Sequence, residues 1–184
     1  TVYVQGNHGG FYRCSKQSAE AYVEEYQRLF DLSYTILRFG SLYGPRSDET
    51  NGLYRIVKKA LNDGFVSYQG SSDTMREYIH VDDAAKASVA ALSDDFCNES
   101  VILSGHESMN VKDVLETLSE ILGFNAPVRF ENKPQLGHYV RTPYALKSKL
   151  AKHYTPTMRV DLGQGLLNLI KDIKGAAGVE VIEL

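Results

Sequence analysis

Tyr12 and Lys16 stand four residues apart in "YRCSK". On a helix, side chains at i and i+4 share a face, with Cβ atoms about 5–6 Å apart. A phenol ordinarily loses its proton near pH 10, too high for proton transfer at neutral pH. A neighbouring ammonium stabilises the phenolate, and the pair can then work as a general acid and base. The same spacing recurs at Tyr54 and Lys58 in "YRIVK", and the chain carries 12 tyrosines, so spacing alone decides nothing. Tyr54–Lys58 sits in an ordinary amphipathic run with Lys59 beside it and reads as a solvated helix face. Tyr12–Lys16 opens a long helix, where the helix dipole favours a developing anion.

The elements that must position this pair can be read from periodicity. The opening "TVYVQG" (1–6) alternates and is β-branched, which predicts a strand ending in the turn-rich "GNHGG". From Phe11 to about Phe30, Ala19, Tyr22, Val23, Tyr26, Leu29 and Phe30 step by three and four and form one helical stripe. "YTILRF" (34–39) predicts a strand, followed by a Gly/Pro loop, "GSLYGPRSDETNG". Leu53, Ile56, Val57, Ala60 and Leu61 predict a helix over 53–62, and "FVSYQG" a short strand. "REYIHV" (76–81) alternates, with Asp82 or Asp83 placed to cap the alanine-rich helix that follows. "VILSG" is another strand, Asn110 can cap a helix over 111–122 that stops at Gly123, and "PVRFE" is a short strand. A last helix spans about 161–174, and "GAAGVEVIEL" trails off as a weak strand or frayed tail. This alternation predicts an α/β fold with a mainly parallel sheet.

Composition removes several function classes. A net charge of −3 offers no basic excess for nucleic acid, and no apolar run approaches the length of a membrane helix. No charged-then-apolar leader opens the chain. The two cysteines, Cys14 and Cys97, are far apart and lack CxxC spacing, so neither a disulfide framework nor a metal site is expected. Reduced thiols and a cytoplasmic location are the expectation.

Three stretches carry more. "YRCSKQSAEAYVEEY", "YTILRFGSLYGPR" and "REYIHVDDAAKA" stand in this order. Together they closely resemble the extended short-chain dehydrogenase/reductases, the NAD-dependent epimerase/dehydratase family acting on nucleotide sugars. The family pattern places Tyr-x-x-x-Lys on a long helix, then a strand ending Leu-Arg-x-x-Asn-x-Tyr-Gly-Pro, then Arg-Asp-Tyr-Ile-His-Val-Asp-Asp heading a helix. Tyr12 to Lys16, Leu37 to Pro45 and Arg76 to Asp83 match it in turn. Later, "SGHESMNVKDVLETLSEILG" is similar to a strand–loop–helix of the same family.

The resemblance implies a role for each matching position. Tyr12 becomes the acid/base that takes a proton from a sugar hydroxyl while hydride goes to a nicotinamide. Lys16 binds the nicotinamide ribose and lowers the phenol's pKa. Phe39, Gly40 and Ser41 lie by the cofactor, Ser41 also by the sugar. Arg76 faces the substrate's phosphates, a task suited to a guanidinium fork, and Arg141 is matched to a further nucleotide-binding arginine. Asp83 is a helix cap in this scheme, and His80 a strand residue with a satisfied ring.

The chain departs from the family pattern in several places. No GxGxxG or GxxGxxG follows an early strand, so the dinucleotide fingerprint and the strands that carry it are missing. The family's catalytic Ser or Thr falls ahead of residue 1, because Val2–Tyr3 matches the end of that motif. Thr1 stands where the 4,6-dehydratase branch has an acidic residue, which argues against that chemistry. Val2-Tyr3-Val4 lacks the usual following Gly, and the segment from Val4 to Phe11 is short. Ser41 replaces the family Asn, and Leu146 holds the expected position of a nucleotide-binding Asp.

The expectation is therefore the C-terminal part of an NAD(P)-binding Rossmann-type doubly wound sheet with a small α/β substrate lobe. Residues 1–45 and 76–105 are assigned to the first, 46–75 and 106–174 to the second, and 175–184 to a tail. The expected function is that of a fragment of an NAD(P)-dependent nucleotide-sugar epimerase, inactive by itself. A reductase or dehydratase of the same family is the nearest alternative; a non-catalytic sugar-nucleotide-binding or interaction module is the alternative of another class. The bare edge of strand 1–6, or the Tyr–Lys helix, is expected to make a homodimer.

Overall fold

The computed structural model describes residues 10–105, 108–131 and 151–176. The strand predicted at 1–6 and positions 177–184 of the tail predicted at 175–184 lie outside the described residues, whereas Gly175 and Ala176 continue the final helix rather than starting a tail.

Helix α1 covers Gly10–Phe30, and after four residues of turn the chain enters β1, Thr35–Phe39. β1 pairs in parallel with β6, Glu99–Leu103, with Leu37 opposite Val101 and Phe39 opposite Leu103. β6 pairs in parallel with β9, Lys152–Tyr154, giving a three-stranded sheet in the order β1-β6-β9. Parallel pairing demands crossover connections. Helix α3, Val81–Ala90, lies on the crossover between β1 and β6. Its small Ala84 and Ala87 pack against Ile79, Val101 and Leu103 in one hydrophobic cluster.

A second, larger cluster joins α2 (Gly52–Asp63), α4 (Val111–Ile121) and α5 (Leu162–Ala176). Val57, Val114, Leu115, Leu118, Leu166 and Leu169 are fully buried there. Each such side chain contributes roughly 1.5–3 kcal/mol relative to exposure. Three two-stranded pairings border this cluster. β2 (Ser41–Tyr43) runs parallel to β5 (Tyr78–His80), β3 (Ser67–Gln69) parallel to β8 (Arg129–Glu131), and β4 (Met75–Arg76) antiparallel to β7 (Met109–Asn110).

Helix ends follow local chemistry. The Asn51 side chain accepts from the Tyr54 amide and starts α2, which ends at Gly64 in the left-handed region, φ 74°. The Asn110 side chain accepts from the Lys112 amide at 2.8 Å, as its position predicts. The start of α3 differs from expectation. The cap is His80, whose Nδ1 accepts from the Asp82 amide at 3.3 Å, while Asp82 and Asp83 lie inside the first turn. Asp83 is turned inward, and its Oδ2 accepts from the Val160 amide at 2.9 Å. A carboxylate committed to a distant loop is not available to cap its own helix.

Three further differences are tertiary in origin. The Gly/Pro loop after β1 contains β2, which exists because β5 comes alongside. β9 has no distinctive local pattern and is a strand through its pairing with β6. The apolar stripe of α1 is not a core face: Tyr22, Tyr26, Leu29 and Phe30 are all exposed. The one buried side chain among the described residues of α1 is Glu20. At about 100° per residue, Leu29, Tyr22 and Tyr26 stand about 180–240° around the helix from it. No helix among the described residues is long and apolar enough to cross a membrane.

Candidate active-site cleft and the Tyr–Lys helix

Glu20 explains how α1 is held. Its carboxylate accepts two hydrogen bonds from Arg38 of β1, Nε to Oε1 at 3.0 Å and Nη2 to Oε2 at 2.8 Å. The short turn 31–34 folds α1 back along β1, so the N-terminal turn of α1 is carried towards the C-terminal end of that strand. In that turn Lys16 Nζ lies 5.5 Å from the centroid of the Tyr12 ring, so the two side chains share a face. Both are exposed, Tyr12 by 67%.

Tyr54 and Lys58 adopt almost the same geometry, with Nζ 5.7 Å from the ring centroid. Their surroundings differ. Lys58 is exposed and ion-paired to Glu49, as a solvated face requires, whereas Tyr54 is half-buried and packs on the larger hydrophobic cluster. Only Lys58 of that pair is therefore a solvated residue.

At the end of β1 the backbone leaves the sheet through a crowded crossing. The Gly40 amide donates to the Leu103 carbonyl at 2.8 Å, and the Ser41 amide to the Glu77 carbonyl at 2.7 Å. Ser41 and Arg76 then come together on the wall of a cleft of about 580 Å³. Arg55 and Lys59 of α2 and the rings of Tyr68 and Tyr78 complete its character. Three cations and no carboxylate stand among the described residues that line it. Asn51 and Gly52 put the N-terminus of α2 on the same wall, and a helix N-terminus favours anions.

The cations are held in different ways. Arg76 is half-buried and donates from Nη1 to the Met75 carbonyl at 2.9 Å. Arg55 Nη1 donates to the Glu49 carbonyl at 2.8 Å and the Thr50 carbonyl at 3.2 Å, and Lys59 Nζ to Ser67 Oγ at 2.9 Å. Burial holds the Tyr78 phenol well above the usual tyrosine range, against the opposing pull of Arg76. Tyr78 is thus a neutral wall of the cleft.

Of the residues singled out from sequence, Ser41 and Arg76 meet in the cleft, and Tyr12 and Lys16 meet on α1 outside its lining. Phe39 packs on the smaller hydrophobic cluster, and Gly40 forms the crossing beside it. Arg141, Leu146 and Thr1 to Val4 lie outside the described residues. The ring of His80 is satisfied at Nδ1, while Nε2 has no partner among the described residues. Arg55 and Lys59 escaped the sequence reading. Their signal was present as Asn51, Arg55 and Lys59 at successive i+4 steps, one polar face of α2.

Residues 4–103 match the profile of the NAD dependent epimerase/dehydratase family. The chain belongs to that family. Its relatives include a putative UDP-glucose 4-epimerase from Methanocaldococcus jannaschii, 26% identical over 166 residues, covering 89% of this chain and 53% of the relative. Among solved structures, the UDP-glucuronic acid 4-epimerase of Bacillus cereus, in complex with UDP-glucuronic acid and NAD, is 28% identical with a TM-score of 0.75. The match covers 90% of this chain and 52% of that one. The UDP-glucose 4-epimerase of Thermotoga maritima, with UDP-glucose, is 25% identical with a TM-score of 0.73, over 90% and 54% of the two chains. The family member described here therefore has the expected Rossmann-type α/β architecture, and spans about half the length of the curated relatives it matches.

Proposed function

We propose that this chain is part of an NAD(P)-dependent epimerase of nucleotide sugars, with Tyr12 and Lys16 as its proton-transfer pair. The observation that carries the substrate class is the cleft holding Ser41 and Arg76, whose described lining includes three cations and no carboxylate. Such a wall suits a diphosphate: Arg76 offers a planar fork, and Arg55 and Lys59 add positive charge. The aromatic faces of Tyr68 and Tyr78 suit the flat or apolar parts of the same ligand. Residues 46–75 and 106–174 are assigned on this reading to the substrate lobe.

The residues present fit the nicotinamide end of a dinucleotide. A phenol and an ammonium share an exposed face on α1, the helix that the Glu20–Arg38 pair ties to β1. Bound there, the nicotinamide supplies hydride acceptance and return. Tyr12 takes the proton of the sugar hydroxyl as the carbinol carbon gives up its hydride and becomes a ketone. Tyr12 then returns the proton after the other face of the ketone has been presented. The Lys16 ammonium stabilises the phenolate that stands before the proton is taken and again after it is returned. Arg76 keeps the nucleotide anchored while the sugar turns. No GxxGxxG loop occurs in the 184 residues, so on this reading the pyrophosphate is cradled by residues outside the chain. The chain alone is accordingly expected to give no turnover. Self-association through the exposed Tyr22, Tyr26, Leu29 and Phe30 face belongs to the same reading, and a clean monomer on sedimentation at high concentration removes it.

The test uses the full-length protein with NAD and UDP-glucose or UDP-glucuronic acid, with products separated by chromatography. Isomeric product without net consumption of reduced cofactor is expected, and Tyr12→Phe should lower kcat by about 10²–10⁴-fold. Loss of water or net reduction would instead identify a dehydratase or reductase. Full turnover in Tyr12→Phe rules out the proposed acid/base.

A further inference from the structure

We propose that the buried Glu20–Arg38 ion pair is a positioning device that sets the rotation of α1 and thereby aims Tyr12 and Lys16. This rests on the reading of Tyr12 as the proton-transfer residue. Glu20 is 8% exposed and Arg38 2% exposed, and the two hydrogen bonds between them are parallel, 3.0 and 2.8 Å. A bidentate fork fixes the carboxylate's plane as well as its distance. Among the described residues Glu20 is the one buried side chain of α1, with Arg13, Gln17 and Gln27 half-buried, so the ion pair is the most deeply packed described tie on the rotation of the helix.

Tyr12, Lys16 and Glu20 follow one another at i+4 steps along one edge of α1. Each step advances about 6 Å and turns about 40°, so fixing Glu20 fixes the other two. A 20° roll at a side-chain radius of about 5–6 Å moves the phenol by about 2 Å. A displacement of 1 Å in a reacting group already costs on the order of 10²-fold in rate. The anchor sits in the penultimate residue of β1, and that strand leads directly into Gly40 and Ser41. One strand therefore registers both the proton-transfer pair and the cleft wall.

Removing Glu20 alone leaves a buried guanidinium without its carboxylate, and that variant is expected to fold poorly. The informative variant is the double substitution Glu20→Met/Arg38→Met in the full-length protein. Apolar replacement of a whole buried pair is often neutral in stability, so Tm is expected to stay within about 3 °C. If the pair only holds the fold together, kcat stays with Tm. If it aims the helix, kcat falls on the order of 10²-fold at nearly constant KM.

A second readout does not depend on turnover. Spin labels go at Ser18→Cys on α1 and Ser93→Cys beyond α3, both exposed, with Cys14 and Cys97 replaced by Ser. The native pair is expected to give a narrow interlabel distance distribution, and Glu20→Met/Arg38→Met one shifted or broadened by about 2 Å. An unchanged distribution overturns the proposal, as does a kcat that follows Tm. If the unsubstituted protein shows no turnover, the proposed function fails, while the distance measurement still decides the positioning role.

Discussion

Replacing Gly40 by alanine probes the point where the sheet hands the chain to the cleft. A Cβ built on Gly40 would stand 2.7 Å from the Glu77 carbonyl oxygen and 3.3 Å from both Cα and Cβ of Ser104. Relaxed carbon–oxygen contacts lie at about 3.3–3.6 Å, so the overlap with Glu77 is about 0.6–0.9 Å. The nearest wall is backbone, which cannot rotate out of the way. The Glu77 oxygen also accepts the Ser41 amide at 2.7 Å, so displacing it strains the bond that starts β2. Overpacking of this kind costs about 1–3 kcal/mol. The reduced freedom of the unfolded chain returns about 0.4–1 kcal/mol. A net loss of about 1–2 kcal/mol corresponds to a Tm lowered by about 2–8 °C for a chain of this size. Gly52→Ala is the control. It lies at the start of α2 with nothing within 4 Å of its built Cβ, so the same entropic gain should raise Tm by about 1–4 °C. Thermal unfolding followed by far-ultraviolet circular dichroism measures both. If Gly40→Ala melts at or above the parent temperature, the crossing is not close-packed and the reasoning fails.

Other expectations concern pH, caps and core. Burial raises the phenol pKa values of Tyr43 and Tyr78 above the unfolded value near 10. Their stabilisation is therefore intact below pH 10 and is lost as pH rises past it, because the unfolded chain gives up those protons first. Tyrosinate absorbance should then rise together with loss of helix signal, and Tyr43→Phe/Tyr78→Phe should move the alkaline midpoint upward; early ionisation with intact helices contradicts this. Asn51→Ala removes both the cap on Tyr54 and the side-chain bond to the Leu42 carbonyl, and should cost about 1–2 kcal/mol, with faster amide exchange in the first turn of α2. Leu115→Ala empties a fully buried site between α4 and its neighbours and should cost about 2–5 kcal/mol in urea unfolding.

Residues 53–62 and 111–122 were legible because each carries its own period and its own cap within a few positions, and both form as α2 and α4. The cap of α3 was misread because Asp83 is drawn away by Val160, 77 residues distant. The α1 stripe was read correctly as a helical period, yet its residues are exposed, and the one buried side chain of α1 among the described residues is Glu20, bonded to Arg38 of β1. Tyr12–Lys16 and Tyr54–Lys58 are nearly identical as local geometry, 5.5 and 5.7 Å, and differ only in what the rest of the chain packs around them.

The linear order of residues determined the α/β alternation, the helix periods and most caps, since these depend on neighbours within about four positions. It also carried the family resemblance in its motifs. Tertiary structure decided that Ser41, Arg55, Lys59 and Arg76 share one carboxylate-free wall among the described residues, and that a buried ion pair ties α1 to β1. Those convergences join segments that only long-range pairing brings together, and no local period encodes a partner that far along the chain.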